Sequence, residues 1–220
     1  MNDQRTASVR TAMRDLIAGL ALVALSCGLG LWIFSKGDTP FAVDVWWNGV
    51  VAGWWNPILT AVSQAMNWVG GGWVAVLVVP IGGAIALVVL RRPWAAAYFL
   101  TAQAASAAGV QVLKHLFGRV RPEDIIVVSD YGSYPSGHVA NATTLAVTAV
   151  VIFPRLWVAI VGAAWVLLMA FSRTYLHAHW LSDTLGGALI GAGTALLIAA
   201  IFAVPMAREQ TRVLERASVG

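Results

Sequence analysis

Long stretches of this chain carry almost no charge. Six windows are largely apolar: residues 16–34, 72–90, 94–113, 137–153, 156–172 and 180–204. A bilayer core about 30 Å thick is crossed by about 20 apolar residues of helix. In such a medium every backbone polar group must be satisfied within its own segment, which favours helices. The windows therefore predict an all-α fold, a six-span transmembrane helical bundle. Only 11% of the chain is charged, against about 25% in soluble domains. Residues 1–220 read as a single integral membrane domain with no soluble domain attached. The stretch 41–68 is amphipathic and holds Trp46, Trp47, Trp54, Trp55 and Trp68. Tryptophan prefers the membrane–water boundary, so one or two interfacial helices are expected between spans one and two.

The formal net charge of +4 might suggest nucleic acid, but the basic residues sort by loop. Arg5, Arg10 and Arg14 precede span one, Arg91 and Arg92 follow span two, Arg155 separates spans four and five, and Arg208, Arg212 and Arg216 follow span six. Six spans place all of these on one side. The positive-inside rule makes that side the cytoplasm. Both termini are then cytoplasmic, in a multi-pass protein of the plasma or inner membrane. The bilayer, not nucleic acid, is the expected partner. Cys27 is the only cysteine, which excludes an internal disulfide. The run around it continues apolar to Phe34 with no small-x-small site, unlike a cleaved signal peptide.

On the opposite, outward side lie two loops, 114–138 and 172–183, which hold most of the polar groups that need explaining. Their content is Lys114 with Arg121-Pro122, then Pro135-Ser136-Gly137-His138, then Ser172-Arg173 with His179 and Asp183. His179 and Asp183 are four residues apart and share a face if helical. A carboxylate there can accept a hydrogen bond from one imidazole nitrogen. The other nitrogen is then unprotonated, as a nucleophile requires. Ser136 suits an N-cap and His138 follows it at a helix start, where free N–H groups and the helix dipole favour an anion. Gly137 allows close backbone approach to a ligand. Lys114, Arg121 and Arg173 supply the positive charge that a phosphoryl transition state needs. The pair His177 and His179 with Asp183 could suggest a metal. Two residues apart, however, the histidines point in different directions, so neither metal nor cofactor is expected. His115 has no assigned role.

The three runs resemble the signature of the type-two phosphatidic acid phosphatase superfamily, in the form K-x6-RP, PSGH and SR-x5-H-x3-D. Every signature position is filled and every spacing kept. The resemblance implies a metal-independent phosphatase with a helical core. It implies His179 as the nucleophile that becomes phosphorylated, and His138 as the group that protonates the leaving group and later activates water. Asp183 would orient His179, and Lys114, Arg121, Ser136, Gly137 and Arg173 would bind phosphate. The expected substrate is a membrane lipid phosphate: a polyprenyl diphosphate, phosphatidylglycerol phosphate or phosphatidic acid, with the first slightly preferred because an outward-facing site suits carrier-lipid recycling. The same intermediate would also permit a phosphotransferase. A vanadate-dependent haloperoxidase is the reading that a chain this apolar disfavours. Arg119, Asp130, Tyr131 and Tyr134 are the residues expected to set substrate choice from the loop.

Overall fold

Glycine and proline divide the chain into eight α-helices. The computed structural model describes residues 2–217, and among them there is no strand. The helices are α1 (Asn2–Ser35), α2 (Ala42–Ala52), α3 (Pro57–Val69), α4 (Val79–Val89), α5 (Pro93–Phe117), α6 (Gly137–Ile152), α7 (Leu156–Tyr175) and α8 (Leu181–Ala217). A π-helical turn, Val74–Val78, leads into α4. Pro57 and Pro93 open α3 and α5, where the missing N–H costs nothing. Gly118, at φ 57°, closes α5 with its N–H on the Lys114 carbonyl.

The all-helical expectation holds, but six spans are not what the helices display. Three are long and apolar enough to cross a bilayer: Ser8–Ser35, Leu156–Tyr175 and Leu181–Val213. A fourth appears only if Pro57–Val69 and Val74–Val89, bent by 50° at their break, count together. Three physical reasons account for the shortfall. The window 72–90 is broken at its start by Gly70–Gly72 and the π turn. Helix α5 is long, but Gln103, Gln111 and its smaller polar residues dilute its hydropathy. Helix α6 has only 16 residues. The segment 41–68 forms two helices, α2 and α3, as expected. The tail from residue 205 continues α8 helically through Pro205 to Ala217, and residues 218–220 lie outside the described part.

Helix α8 is the central element and packs on α1, α5, α6 and α7. Glycines let α6 approach it closely. A Cβ at Gly187 would stand 2.5 Å from the Ser136 carbonyl oxygen, and one at Gly191 would collide with that of Ala140. Either would push the Ser136–His138 turn away from α8. At the far end of the bundle Glu209 accepts from the free N–H groups of Trp94 and Ala95, at 2.7 and 3.2 Å, and so caps α5. Arg92 donates to the Ile152 carbonyl at 3.0 Å and to Gln210 at 2.6 Å. These bonds tie α5, α6 and α8 together away from the motif loops. The motifs gather at the other end.

Candidate active site

The end of α5, the loop that follows it, the start of α6 and the α7–α8 turn meet at one place. Lys114 stands in the last turn of α5, positioned by the Gly118 cap. Its Nζ donates to Asp130 Oδ1 at 3.0 Å and to the carbonyl of Gly132 at 2.8 Å. Arg121 Nη2 donates to the same Asp130 oxygen at 2.8 Å and to the same Gly132 carbonyl at 2.8 Å. One carboxylate oxygen thus bridges two of the three motif cations. Asp130 remains more than half exposed, whereas Lys114 is buried.

The third cation, Arg173, is buried in the last turn of α7. Its carbonyl accepts from the N–H groups of Ala178 and His179, which fold the turn back over the helix end. His177 adopts a left-handed conformation at φ 52°, and this reverses the chain. The turn also separates the two histidines. His177 Nδ1 lies 2.7 Å from Asn48 Oδ1 and 2.9 Å from Asp124 Oδ2. His179 points elsewhere. Among the described residues no group of three or more His, Cys, Asp and Glu could hold a metal ion.

His179 is almost completely buried. Its Nδ1 lies 2.8 Å from the carbonyl oxygen of Ser133. That oxygen can only accept, so Nδ1 carries the proton. Nε2 then presents its lone pair to Arg121 Nη1, from which it accepts at 3.3 Å. The expected bond from His179 to Asp183 is not formed, since that separation is 3.8 Å. Ser133 stands between them instead. Its carbonyl takes the imidazole N–H and its hydroxyl donates to Asp183 Oδ2 at 2.5 Å. Burial, then the charges of Arg121, Arg173 and Lys114, push the His179 imidazole well below its ordinary range. It is therefore neutral at physiological pH. For Asp130, burial acts to raise the carboxyl. Lys114 and Arg121 outweigh burial and hold it below the usual carboxylate range.

His138 occupies the first turn of α6, and its Nε2 lies 3.1 Å from the carbonyl oxygen of Asn67. Gly71 is what admits the ring, for a Cβ there would stand 2.5 Å from Nε2. Asn67 also accepts, through Oδ1, from Arg173 Nη1. One α3 residue thus links the two. Ser136 N-caps α6 without a side-chain capping bond, and its hydroxyl is buried with no protein partner. Its backbone N–H donates to the Asp183 carbonyl at 3.0 Å. The Nε atoms of Arg121 and Arg173 are likewise buried and unpaired. Buried polar groups are ordinarily satisfied, so Ser136, Arg121 and Arg173 together hold donors that an oxyanion would complete. A Cβ at Gly137 would meet only Val110, at an ordinary 3.6 Å, so packing does not require glycine there.

Two of the four loop residues are placed differently from expectation. Arg119 is fully buried, with Nη1 on Asp183 Oδ1 at 2.5 Å and Nη2 on Asp44 Oδ2 at 2.9 Å. It turns inward because two buried carboxylates lie there. Tyr134 is also buried, with its hydroxyl donating to the Ser26 carbonyl at 2.6 Å. Neither reaches the loop surface. Tyr131 does, at 62% exposed, with its ring against His115. Beside Arg121 a cavity of about 490 Å³ is lined also by Asp38, Glu123, Asp124 and Trp180. Ser133, Asn67 and Asp44 belong to no motif. Nothing in their spacing marked them. Only the packing of α2, α3 and the loop onto the α7–α8 turn brings them in.

A helical membrane protein with a buried imidazole, a ring of cations and unpaired oxyanion donors defines a class of phosphate-handling sites. Residues 95–206, just over half the chain, match the PAP2 superfamily, and the chain belongs to it. An undecaprenyl-diphosphatase of Sulfolobus acidocaldarius is 33% identical over 95 residues, 40% of this chain and 45% of that protein. A lipid A 4'-phosphatase of Bacteroides thetaiotaomicron is 25% identical over 167 residues, 67% of this chain and 69% of the relative. A lipid A 1-phosphatase of Rhizobium etli is 29% identical over 124 residues, 50% of this chain and 51% of the relative. The chain thus spans about half the length of two of these three. In fold it is similar to the transmembrane PAP2-type phosphatidylglycerolphosphate phosphatase of Bacillus subtilis. That match has a TM-score of 0.71 and 22% identity, over 83% of this chain and 94% of the other. Aquifex aeolicus LpxE gives 0.62 at 22% identity, over 75% and 96%.

Proposed function

We propose that this protein is a membrane lipid phosphatase that works through a phosphohistidine, without a metal. The observation that carries the reading is the state of His179. It is buried and neutral, its Nδ1 proton is held by the Ser133 carbonyl, and its Nε2 lone pair is turned toward Arg121. A phosphate entering here displaces the Asp130 carboxylate from Lys114 and Arg121 and takes up the free donors of Arg121, Arg173 and Ser136. The Nε2 lone pair attacks phosphorus as the P–O bond to the lipid breaks. His138 gives its proton to the departing oxygen, after its Nε2 leaves the Asn67 carbonyl. Water then attacks phosphorus while His138 takes its proton. The P–N bond breaks, the electron pair returns to Nε2, and inorganic phosphate leaves. Asp183, through Ser133, stabilises the positive charge that the phosphorylated ring carries.

The relatives' names support a lipid phosphate substrate. Of the candidates, a phosphate monoester fits this reading better than a polyprenyl diphosphate. Glu123, Asp124 and Asp38 rim the cavity beside Arg121. Arg119, the cation that could have offset them for a second phosphate, is buried elsewhere. The reading puts the lipid tail in hydrocarbon and the phosphate in the pocket, with the site toward the outer face as the positive-inside rule would have it.

The test is inorganic phosphate release from a panel of lipid phosphates in detergent with chelator, comparing wild type with His179→Ala. Activity that survives chelator and vanishes in the variant, with an acid-labile radiolabelled phosphoenzyme in wild type alone, is the expected outcome. Activity abolished by chelator would overturn the metal-free reading.

A further inference from the structure

Arg119 lies between two carboxylates, and all three charged side chains are completely buried. Burying charge is costly unless every partner is supplied. Here every group is paired except Arg119 Nε, which is buried without a hydrogen bond, and the charges do not cancel: with both carboxylates ionised, two share one guanidinium and one net negative charge remains. Arg119 Nη1 donates to Asp183 Oδ1 and, at 2.8 Å, to Ser182 Oγ, while Nη2 donates to Asp44 Oδ2. Asp44 also accepts from the Ser182 N–H at 2.8 Å, the Ser182 hydroxyl at 2.7 Å and the Phe41 N–H at 3.1 Å. It therefore pins the first turn of α8, which carries Asp183, to the start of α2. Asp44 lies outside residues 95–206, the part that matches the family.

A lone Arg119–Asp183 pair would be neutral, and the carboxylate would be spent on the guanidinium. Asp44 takes half of Arg119. Asp183 then keeps negative charge for the Ser133 hydroxyl and, through it, for His179. We propose that Asp44 and Arg119 are positioning residues of the phosphoryl-transfer site. They hold Asp183 against Ser133 and leave a net negative charge behind the His179 ring. This inference rests on His179 being the nucleophile.

The ring is surrounded from every side. Lys114 of α5, Arg121 of the loop, Arg173 of α7 and His138 of α6 act to lower its proton affinity. Asp130 of the loop and Asp183 of α8 act to raise it. Removing the negative charge of Asp44 lowers it further. His179 must be neutral to attack, so the acid limb of kcat/KM marks its loss and moves to lower pH.

The experiment is a pH–rate series on full-length Asp44→Asn in detergent, beside wild type, Asp44→Glu and His179→Ala. Asparagine keeps the size and removes the charge. Expected are a kcat lower by about 10- to 100-fold, the range for coupled buried contacts, and a KM within about threefold. The acid limb should shift down by about half a pH unit or more, with the wild-type limb restored in Asp44→Glu. A folded Asp44→Asn with wild-type kcat and an unmoved limb overturns the proposal, even if its melting temperature falls. If Asp44→Asn does not fold, Ser182→Ala decides. It removes the hydroxyl joining Asp44 to Arg119 and changes no charge. A lower kcat at constant KM, with the limb unmoved, supports the proposal, and an unchanged kcat overturns it. Turnover near the wild-type level in His179→Ala would instead bring down the underlying nucleophile assignment, whatever Asp44 does.

Discussion

The site contains two carboxylate–cation clusters on opposite sides of His179, alike in chemistry and opposite in setting. Asp130 bridges Lys114 and Arg121 with its side chain 58% exposed. Asp44 and Asp183 share Arg119 with all three at 0%. Water screens and competes for the first cluster, so its carboxylate can exchange for another anion at little cost. No water reaches the second, and breaking it leaves an uncompensated buried charge. The first cluster therefore suits a place that a substrate must enter. The second suits a place that must not move.

The sharpest way to break this comparison is at the ring between the clusters. His179→Ala is expected to lower turnover by about 10⁴-fold or more, measured as phosphate release, while both clusters stay formed. Next come the clusters themselves. Arg119→Ala strands two buried carboxylates and is expected to cost about 3–5 kcal/mol of stability, read from denaturation in detergent. Asp130→Asn removes an exposed partner and is expected to change stability by less than about 1 kcal/mol. It frees Lys114 and Arg121, so inorganic phosphate should inhibit it at lower concentration than wild type. Equal destabilisation by the two changes would end the distinction.

The pH profile sharpens it further. Burial and the surrounding cations depress His179, so its neutral form persists as pH falls. The acid limb of kcat/KM should lie below about pH 6.5, the ordinary histidine value. An acid limb above 6.5 would contradict the burial of the ring. The smallest effect belongs to Tyr131, whose side chain is exposed and whose only bond to the site is its carbonyl, which accepts from Lys114 Nζ at 3.4 Å. Tyr131→Ala should change the ranking of lipid substrates more than turnover on a small phosphate ester. Equal loss on every substrate would assign it a purely structural role.

Much of this site was legible along the chain, because its chemistry needs scarce residue types. Three cations, two histidines and Asp183 are conspicuous in a sequence so apolar, and the structure gathers them into one charge-coupled cluster. His138 reaches that cluster through Asn67 and Arg173. The illegible parts are backbone and uncharged groups. The Ser133 carbonyl, not Asp183, takes the His179 proton, and no spacing rule identifies a carbonyl. Asp183 at i+4 from His179 implied a shared helical face, but α8 begins only at Leu181. His179 stands in the preceding turn, and that displaces the pair to 3.8 Å. Arg119, two residues before Arg121, resembled another loop cation.

From composition and periodicity alone the sequence determined that the chain is helical and belongs in a membrane, since 59% apolar residues in long runs have no aqueous solution. Its motif spacings singled out the side chains to which the proposed chemistry is assigned. Tertiary structure decided which way Arg119 faces, which oxygen holds the His179 proton and that Asp44 takes part at all. Those outcomes depend on contacts between residues 46 to 138 positions apart. Local sequence patterns constrain neighbours within a few residues, whereas burial of a charge is settled only when distant helices close around it.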